Sequence, residues 1–276
     1  MPESLQPLEN HSLWIAAGVL VLLLTWEGFR PFLPFFRGKA KQRAIHLLRN
    51  TVLGVINAAM TSLGFVLLWA WAADWAWSRG FGLLNWISLS AWMEFAIAVL
   101  LLDFWTYWWH RWNHRVPFLW RFHRVHHADP RMDVTTANRF HFGEIILSSL
   151  LRVPVLMLIG AQLWHLAIYE TLLFAVVQFH HANVALPPWL DRGLRIVTVT
   201  PAMHKVHHSR IPSETDSNYT SLFSIWDRLF GSFRLRRDLH GIDFGLNGYD
   251  SVKVQTVWGM AKTPFQPKPE DEPKSE

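Results

Sequence analysis

Five histidines fall in the eighteen residues from His110 to His127, HRWNHRVPFLWRFHRVHH, and a further HKVHH runs from His204 to His208. Residues four apart on a helix sit one above the other on one face, and residues three apart are close to it. His110 and His114 have the first spacing, as do His123 and His127, and His204 and His208. His126 and His207 each follow the first histidine of their motif by three and are expected to share its face. Each cluster then aims two or three imidazoles at one point. The three clusters together supply eight ring nitrogens, and a single zinc or iron takes about four to six ligands, so two ions are a better fit than one. The chain contains no cysteine, which excludes disulfides, thiolate ligands and cysteine nucleophiles. An all-imidazole site suits iron, zinc or copper.

The ordered set H-x3-H, H-x2-H-H and H-x2-H-H resembles the fatty acid hydroxylase/sterol desaturase superfamily of membrane di-metal oxygenases, over roughly residues 90 to 235. The flanking text agrees: DVTTANRFHFGE from Asp133 to Glu144, HHAN from His180 to Asn183, and TDSNY followed by WDRLFG between Thr215 and Gly231. The resemblance implies two iron ions, with zinc as a substitute in preparations, and activation of dioxygen. It implies hydroxylation or desaturation of an unactivated C–H bond in a lipid or sterol-like substrate, with no catalytic group separate from the metal ligands. Electrons would come from an external reductase or ferredoxin-like donor. The chemistry is consistent with this, because such a bond offers no acid or base handle and the cofactor must carry the hard step.

The resemblance also implies a ninth ligand, His181. Some members have a further histidine four residues later, where this chain has Ala185; a water held by Asn183 is expected to replace it. Asp103 lies seven residues, two helical turns, before His110 and is expected to accept the second ring N–H of a ligand histidine. His141 is expected to support a ligand or face the substrate. His180, beside His181 on a helix, is expected to point elsewhere behind the ligands. His11, His46, His165 and His240 fall outside the clusters and read as structural or exposed.

These residues have to be held by helices in a membrane. Hydrophobic side chains make up 51% of the sequence, with 17 tryptophans. Leu13 to Phe29, Thr51 to Ala73 and Leu83 to Leu102 are apolar runs, and a run of about 20 such residues spans a bilayer. Trp69, Trp71, Trp75, Trp77, Trp105, Trp108 and Trp109 gather near their ends as an interfacial belt. The first ten residues carry no Lys or Arg, which argues against a signal peptide. Arg30 to Arg49 holds six basic residues and no acidic one, and the positive-inside rule puts it in the cytoplasm. That path also delivers His110 to the cytoplasmic side. Residues 142 to 160 and 162 to 177 form either a full hairpin or one buried partway, interrupted by Arg152, His165 and Glu170. Glu94 and Asp103 are carboxylates in or at the end of the third span, which marks them for function.

The expected architecture is all-α: an integral membrane bundle of about four transmembrane helices with a cytoplasmic helical cap. Residues 1–82 form an N-terminal hairpin, 83–235 the catalytic region and 236–276 a polar tail, with Pro264 to Glu276 rich in Pro, Lys and Glu and expected to be disordered. A bacterial inner membrane is expected, or endoplasmic reticulum in a eukaryote. The net charge of +5 serves topology and does not call for nucleic acid. The competing class is a non-catalytic metal-binding membrane protein or metal transporter, which would place its ligands near the bilayer midplane.

Overall fold

The computed structural model describes residue 1, residues 3–6 and residues 11–267. Its regular structure is helical. Among the described residues there is no strand, only isolated bridges of Thr198 with Phe223 and Ser209 with Phe244. The helices are α1 Ser12–Phe29, α2 Ala40–Gly64, α3 Val66–Ser78, α4 Leu83–Trp86, α5 Ala91–Arg115, α6 Pro117–His127, α7 Phe142–Ile159, α8 Leu163–His181, α9 Pro188–Val197, α10 Pro201–His207, α11 Pro212–Thr215, α12 Ile225–Leu229 and α13 Val257–Lys262.

Helix α1 lies along α8, α3 along α7, and α5 against α6 and α8. The main core sits between α3, α5, α7 and α8, around Trp69, Leu102, Leu156 and Tyr169. Two glycines close its far end. Gly160, in the left-handed conformation (φ 75°), ends α7. Gly82 (φ 101°) presses so close that a Cβ would lie 2.4 Å from the Met157 carbonyl oxygen.

The helices do not follow the bounds of the expected spans. Among the described residues, α7 is the one helix long and apolar enough to cross a bilayer alone, with mean hydropathy 1.9. Ala40–Gly64 and Val66–Trp86 pass that test together, bent by 44°. The expected run Thr51 to Ala73 is therefore broken, because Phe65 leaves helical geometry between α2 and α3. Asp74 lies inside α3. The expected run Leu83 to Leu102 is split. The Ser90 side chain accepts the Met93 N–H and starts a new helix, α5, which runs on to Arg115. Trp14–Phe29 is apolar but shorter. Much of the bundle surface is apolar: Leu63 is 86% exposed and Leu67 79%.

The expected disordered tail begins inside packed structure. Thr263 and Pro264 are buried, and the Arg124 guanidinium donates to the carbonyls of Thr263 (2.5 Å) and Gln266 (3.0 Å). Residues 268–276, the rest of that tail, lie outside the described residues, as do residues 2 and 7–10 of the N-terminus.

Candidate metal centre

Four helix ends carry the histidines. His110 and His114 occupy the last turns of α5, which stops where Val116 turns extended ahead of Pro117. Proline disfavours helical geometry in the residue before it and is itself well suited to a first helical position. The chain therefore folds over at Val116 and restarts as α6, bringing the ring of His123 to 4.9 Å from that of His114. His181 is the last residue of α8. Thr200 caps α10 and Pro201 opens it, so that His204 and His207 lie within it and His208 at its end.

The nine rings fall into two buried groups: His110, His114, His123, His127 and His207 in one, and His126, His181, His204 and His208 in the other. In each group one ligand-type nitrogen per ring lies within 4.8 Å of all the others. The groups adjoin, with the rings of His127 and His208 stacked at 4.4 Å. This corrects the expectation that each H-x2-H-H motif aims at one point. Four residues turn a helix about 40° past a full circle, whereas three fall about 60° short on the other side. The pairs four apart accordingly stay together, while His126 departs from His123, and His207 from His204.

The ring nitrogens have fixed roles. The Nδ1 atoms of His110, His207 and His181 lie 2.6, 2.7 and 2.7 Å from the carbonyl oxygens of Tyr219, Ser217 and Val177. A carbonyl only accepts, so each Nδ1 carries the proton and each Nε2 presents a bare lone pair. Yet Nε2 of His207 faces Nε2 of His110 at 3.1 Å, and Nε2 of His181 faces those of His126 and His204 at 3.0 Å each. Between His207 and His110 two lone pairs point at each other with no proton to share. Nε2 of His114, His123 and His127 is buried with no hydrogen-bond partner. Buried acceptors in such an array need a cation. The residues present fit metal ions, with imidazole donors converging and their outer nitrogens anchored.

Burial disfavours the charged form of an imidazole. It pushes His181 and His207 down to about 3 and, helped by the neighbouring histidines, keeps His110, His114, His126, His127, His204 and His208 well below the ordinary imidazole value. Neutral imidazole is the form that binds metal.

The expected supporting residues are placed otherwise. Asp103 touches no ligand ring. Its Oδ2 accepts the Phe223 N–H (3.0 Å) and the Trp226 indole N–H (2.8 Å), so it anchors the loop whose Tyr219 carbonyl holds His110. His141 caps α7, accepting the Gly143 N–H on Nδ1 and donating from Nε2 to the Ala261 carbonyl; it lies against Phe122 and Phe142. Asn183 engages both backbone groups of Leu33 with its side chain, at 2.9 and 2.8 Å. His180 falls in neither group, and its ring stacks on that of His204 at 3.9 Å. The half-buried His46 and the buried His165 have ion-pair and capping roles, and the exposed His240 lies against Phe32. Glu94, whose role was open, lies 3.5 Å from His165.

Two partners were not read from the sequence. Glu144 Oε1 lies 3.0 Å from His123 Nδ1, and Asp216 Oδ1 lies 3.3 Å from His114 Nδ1. Both residues sit in the runs quoted above, DVTTANRFHFGE and TDSNY. However, no periodicity connects carboxylate to imidazole across such separations.

The sequence model of the fatty acid hydroxylase family matches residues 95–232, half of the chain. Human alkylglycerol monooxygenase is 29% identical over 249 residues, 88% of this chain and 51% of its own length. The zebrafish (Danio rerio) alkylglycerol monooxygenase is 31% identical over 61% of this chain and 37% of its own length. Ornithine lipid hydroxylase OlsE of Rhizobium tropici is 30% identical over 56% of this chain and 46% of its own length. The chain thus spans about half, or less, of the curated relatives it matches. No solved structure matches it. With the three histidine motifs inside the matched region, the chain belongs to the fatty acid hydroxylase family, within the fatty acid hydroxylase/sterol desaturase superfamily.

Proposed function

We propose that the chain is a membrane-bound non-haem di-iron oxygenase that hydroxylates a C–H bond of a lipid. The observation that carries this is the pair of buried imidazole groups, in one of which the bare Nε2 atoms of His110 and His207 face each other at 3.1 Å, an arrangement that a cation between them relieves. The five-histidine group holds one iron and the four-histidine group the other. Bound iron supplies the reductive activation of dioxygen that an unactivated C–H bond requires. The overall change is balanced when one oxygen atom enters the C–H bond and the other leaves as water, with two electrons and two protons from outside. The electrons come from a separate donor protein, and desaturation is the alternative outcome on the same substrate.

The chain's own residues bind, orient and exclude water. The carbonyls of Tyr219, Ser217 and Val177 and the carboxylate of Glu144 fix which nitrogen of His110, His207, His181 and His123 faces inward. Burial of all nine rings keeps bulk water from the reacting space. An amphiphilic lipid is the substrate class favoured by the relatives' names, alkylglycerol monooxygenase and ornithine lipid hydroxylase.

The apolar helix α7, the bent pair α2–α3 and the exposed leucines support a membrane-embedded helical bundle. The basic run from Arg30 to Arg49 supports a cytoplasmic face for the histidine groups. The test is to incubate the iron-loaded chain with a reductase–ferredoxin system, isotopically labelled dioxygen and a total lipid extract. Labelled oxygen in a lipid hydroxyl is the expected result. Metal binding with no lipid turnover under any donor would favour the non-catalytic alternative.

A further inference from the structure

The family match begins at residue 95, yet side chains from the helices before it reach the back of the histidine groups. Glu27, near the end of the apolar helix α1, is buried. One of its oxygens, Oε1, accepts the backbone N–H of Val134 at 2.8 Å and also that of Asn183, two residues after His181. The chain leaving α1 then clips onto the same place. Asn183 bonds both backbone groups of Leu33 through its side chain, and its carbonyl accepts the Phe32 N–H at 2.8 Å. Lys205, which lies between His204 and His207 in sequence, is buried over the Phe32 ring and donates to the Ala182 carbonyl at 2.9 Å. The apolar face of α1 seals the contact, with Leu23 packed on Val134, Ala182 and Val184.

These contacts converge on the segment that follows His181 and on the helix that carries His204 and His208. All three histidines belong to the four-histidine group. In the other group the outer nitrogens of His110, His207 and His123 are partnered by Tyr219, Ser217 and Glu144, none of which touches Glu27. A buried backbone N–H that loses its acceptor must move to find another. Removing the Glu27 carboxylate frees two such groups, one of them directly behind His181.

We propose that Glu27 is a positioning residue for the four-histidine group, so that the N-terminal helix, outside the region matched by the family's sequence model, is part of the metal-binding unit and not only an anchor. This rests on the reading of the two groups as metal sites.

The test uses the purified full chain, stripped of metal in detergent and titrated with Co(II), with the visible absorption of the bound ion as readout. The wild-type chain is expected to take up two ions. Glu27→Ala is expected to keep one at wild-type affinity and to bind the other about 10- to 100-fold more weakly, the usual cost of losing an outer support of a ligand. Glu27→Gln retains an oxygen acceptor and is expected to restore both. Two ions at wild-type affinity in Glu27→Ala would overturn the proposal, as would equal weakening of both. If Glu27→Ala does not fold, Glu27→Asp decides: its shorter arm is expected to weaken one ion selectively, and unchanged binding would overturn the proposal. A wild-type chain that binds no cobalt would overturn the metal reading itself, and this inference with it.

Discussion

His207 and His110 face each other Nε2 to Nε2 across 3.1 Å, while the Nδ1 of each donates to a backbone carbonyl, Ser217 and Tyr219 respectively. Neither inner nitrogen has a proton to give the other. The pair is therefore repulsive in the neutral protein and becomes favourable only around a cation. The residues come from helices 97 positions apart in the chain, so an ion between them would tie α5 to α10.

Metal should accordingly stabilise the fold. Stripping the chain with a chelator is expected to lower its melting temperature, and restoring Fe(II) or Zn(II) to raise it. At a free concentration of ~100 times Kd one site adds about 2.7 kcal/mol. Differential scanning calorimetry in detergent checks this, and an unchanged transition on metal addition would contradict it.

Glu144 holds the outer nitrogen of His123 and also accepts from the Asn113 amide at 3.3 Å. Glu144→Ala should weaken metal binding or activity ~10- to 100-fold, and Glu144→Gln, which keeps an acceptor, by less. Competition with a metallochromic chelator measures the affinity. His141 gives the contrast. It caps α7 away from both groups, so His141→Ala should cost stability of about 1 kcal/mol and leave metal affinity unchanged.

The metal-free chain should lose stability in acid for a reason that can be signed. In the folded state His181 and His207 are held down to about 3, while an unfolded imidazole titrates near 6.5. Between these values the unfolded chain binds more protons than the folded one, so acid favours unfolding. The contribution is complete above about 6.5 and is lost as pH falls from there towards about 3. Protons also compete with metal for the same nitrogens, so metal should leave as pH falls below about 6. Denaturant melts of the stripped chain at pH 7.5 and 5, alongside metal retention of the loaded chain, test both parts. Equal stability and full metal retention at pH 5 would contradict them.

Gly82→Ala is expected to destabilise the bundle without touching the metal. Its φ of 101° is a region kept for glycine, and the new methyl would meet the Met157 carbonyl at 2.4 Å. Backbone strain of this kind costs about 1–3 kcal/mol, before the clash is counted. The expected outcome is a lower melting temperature with metal stoichiometry unchanged.

The convergence of the histidines was legible because spacing of four on a helix is a local property. Their division was not, since the sense in which residues three apart diverge matters only once a second group exists beside the first. The family was legible from the three ordered motifs. Asp103 shows the limit of helical spacing: it lies on the expected face of α5, but the loop from Tyr219 to Trp226 comes between it and any need for a ring. Glu144 and Asp216 show the converse, as contacts made by tertiary folding with no local signal. The breaks at Phe65 and Ser90 were hidden because an apolar run reads as continuous whether or not the helix bends inside it.

The central claim is that nine histidines hold two irons, divided five and four. Iron per chain, measured by plasma mass spectrometry on the purified wild type and on His126→Ala and His123→Ala, tests it most directly. About two irons are expected in the wild type, and each variant should lose one while retaining the other, because these neighbours in one motif serve different groups. One iron or none in the wild type, or two irons retained in either variant, would contradict the account.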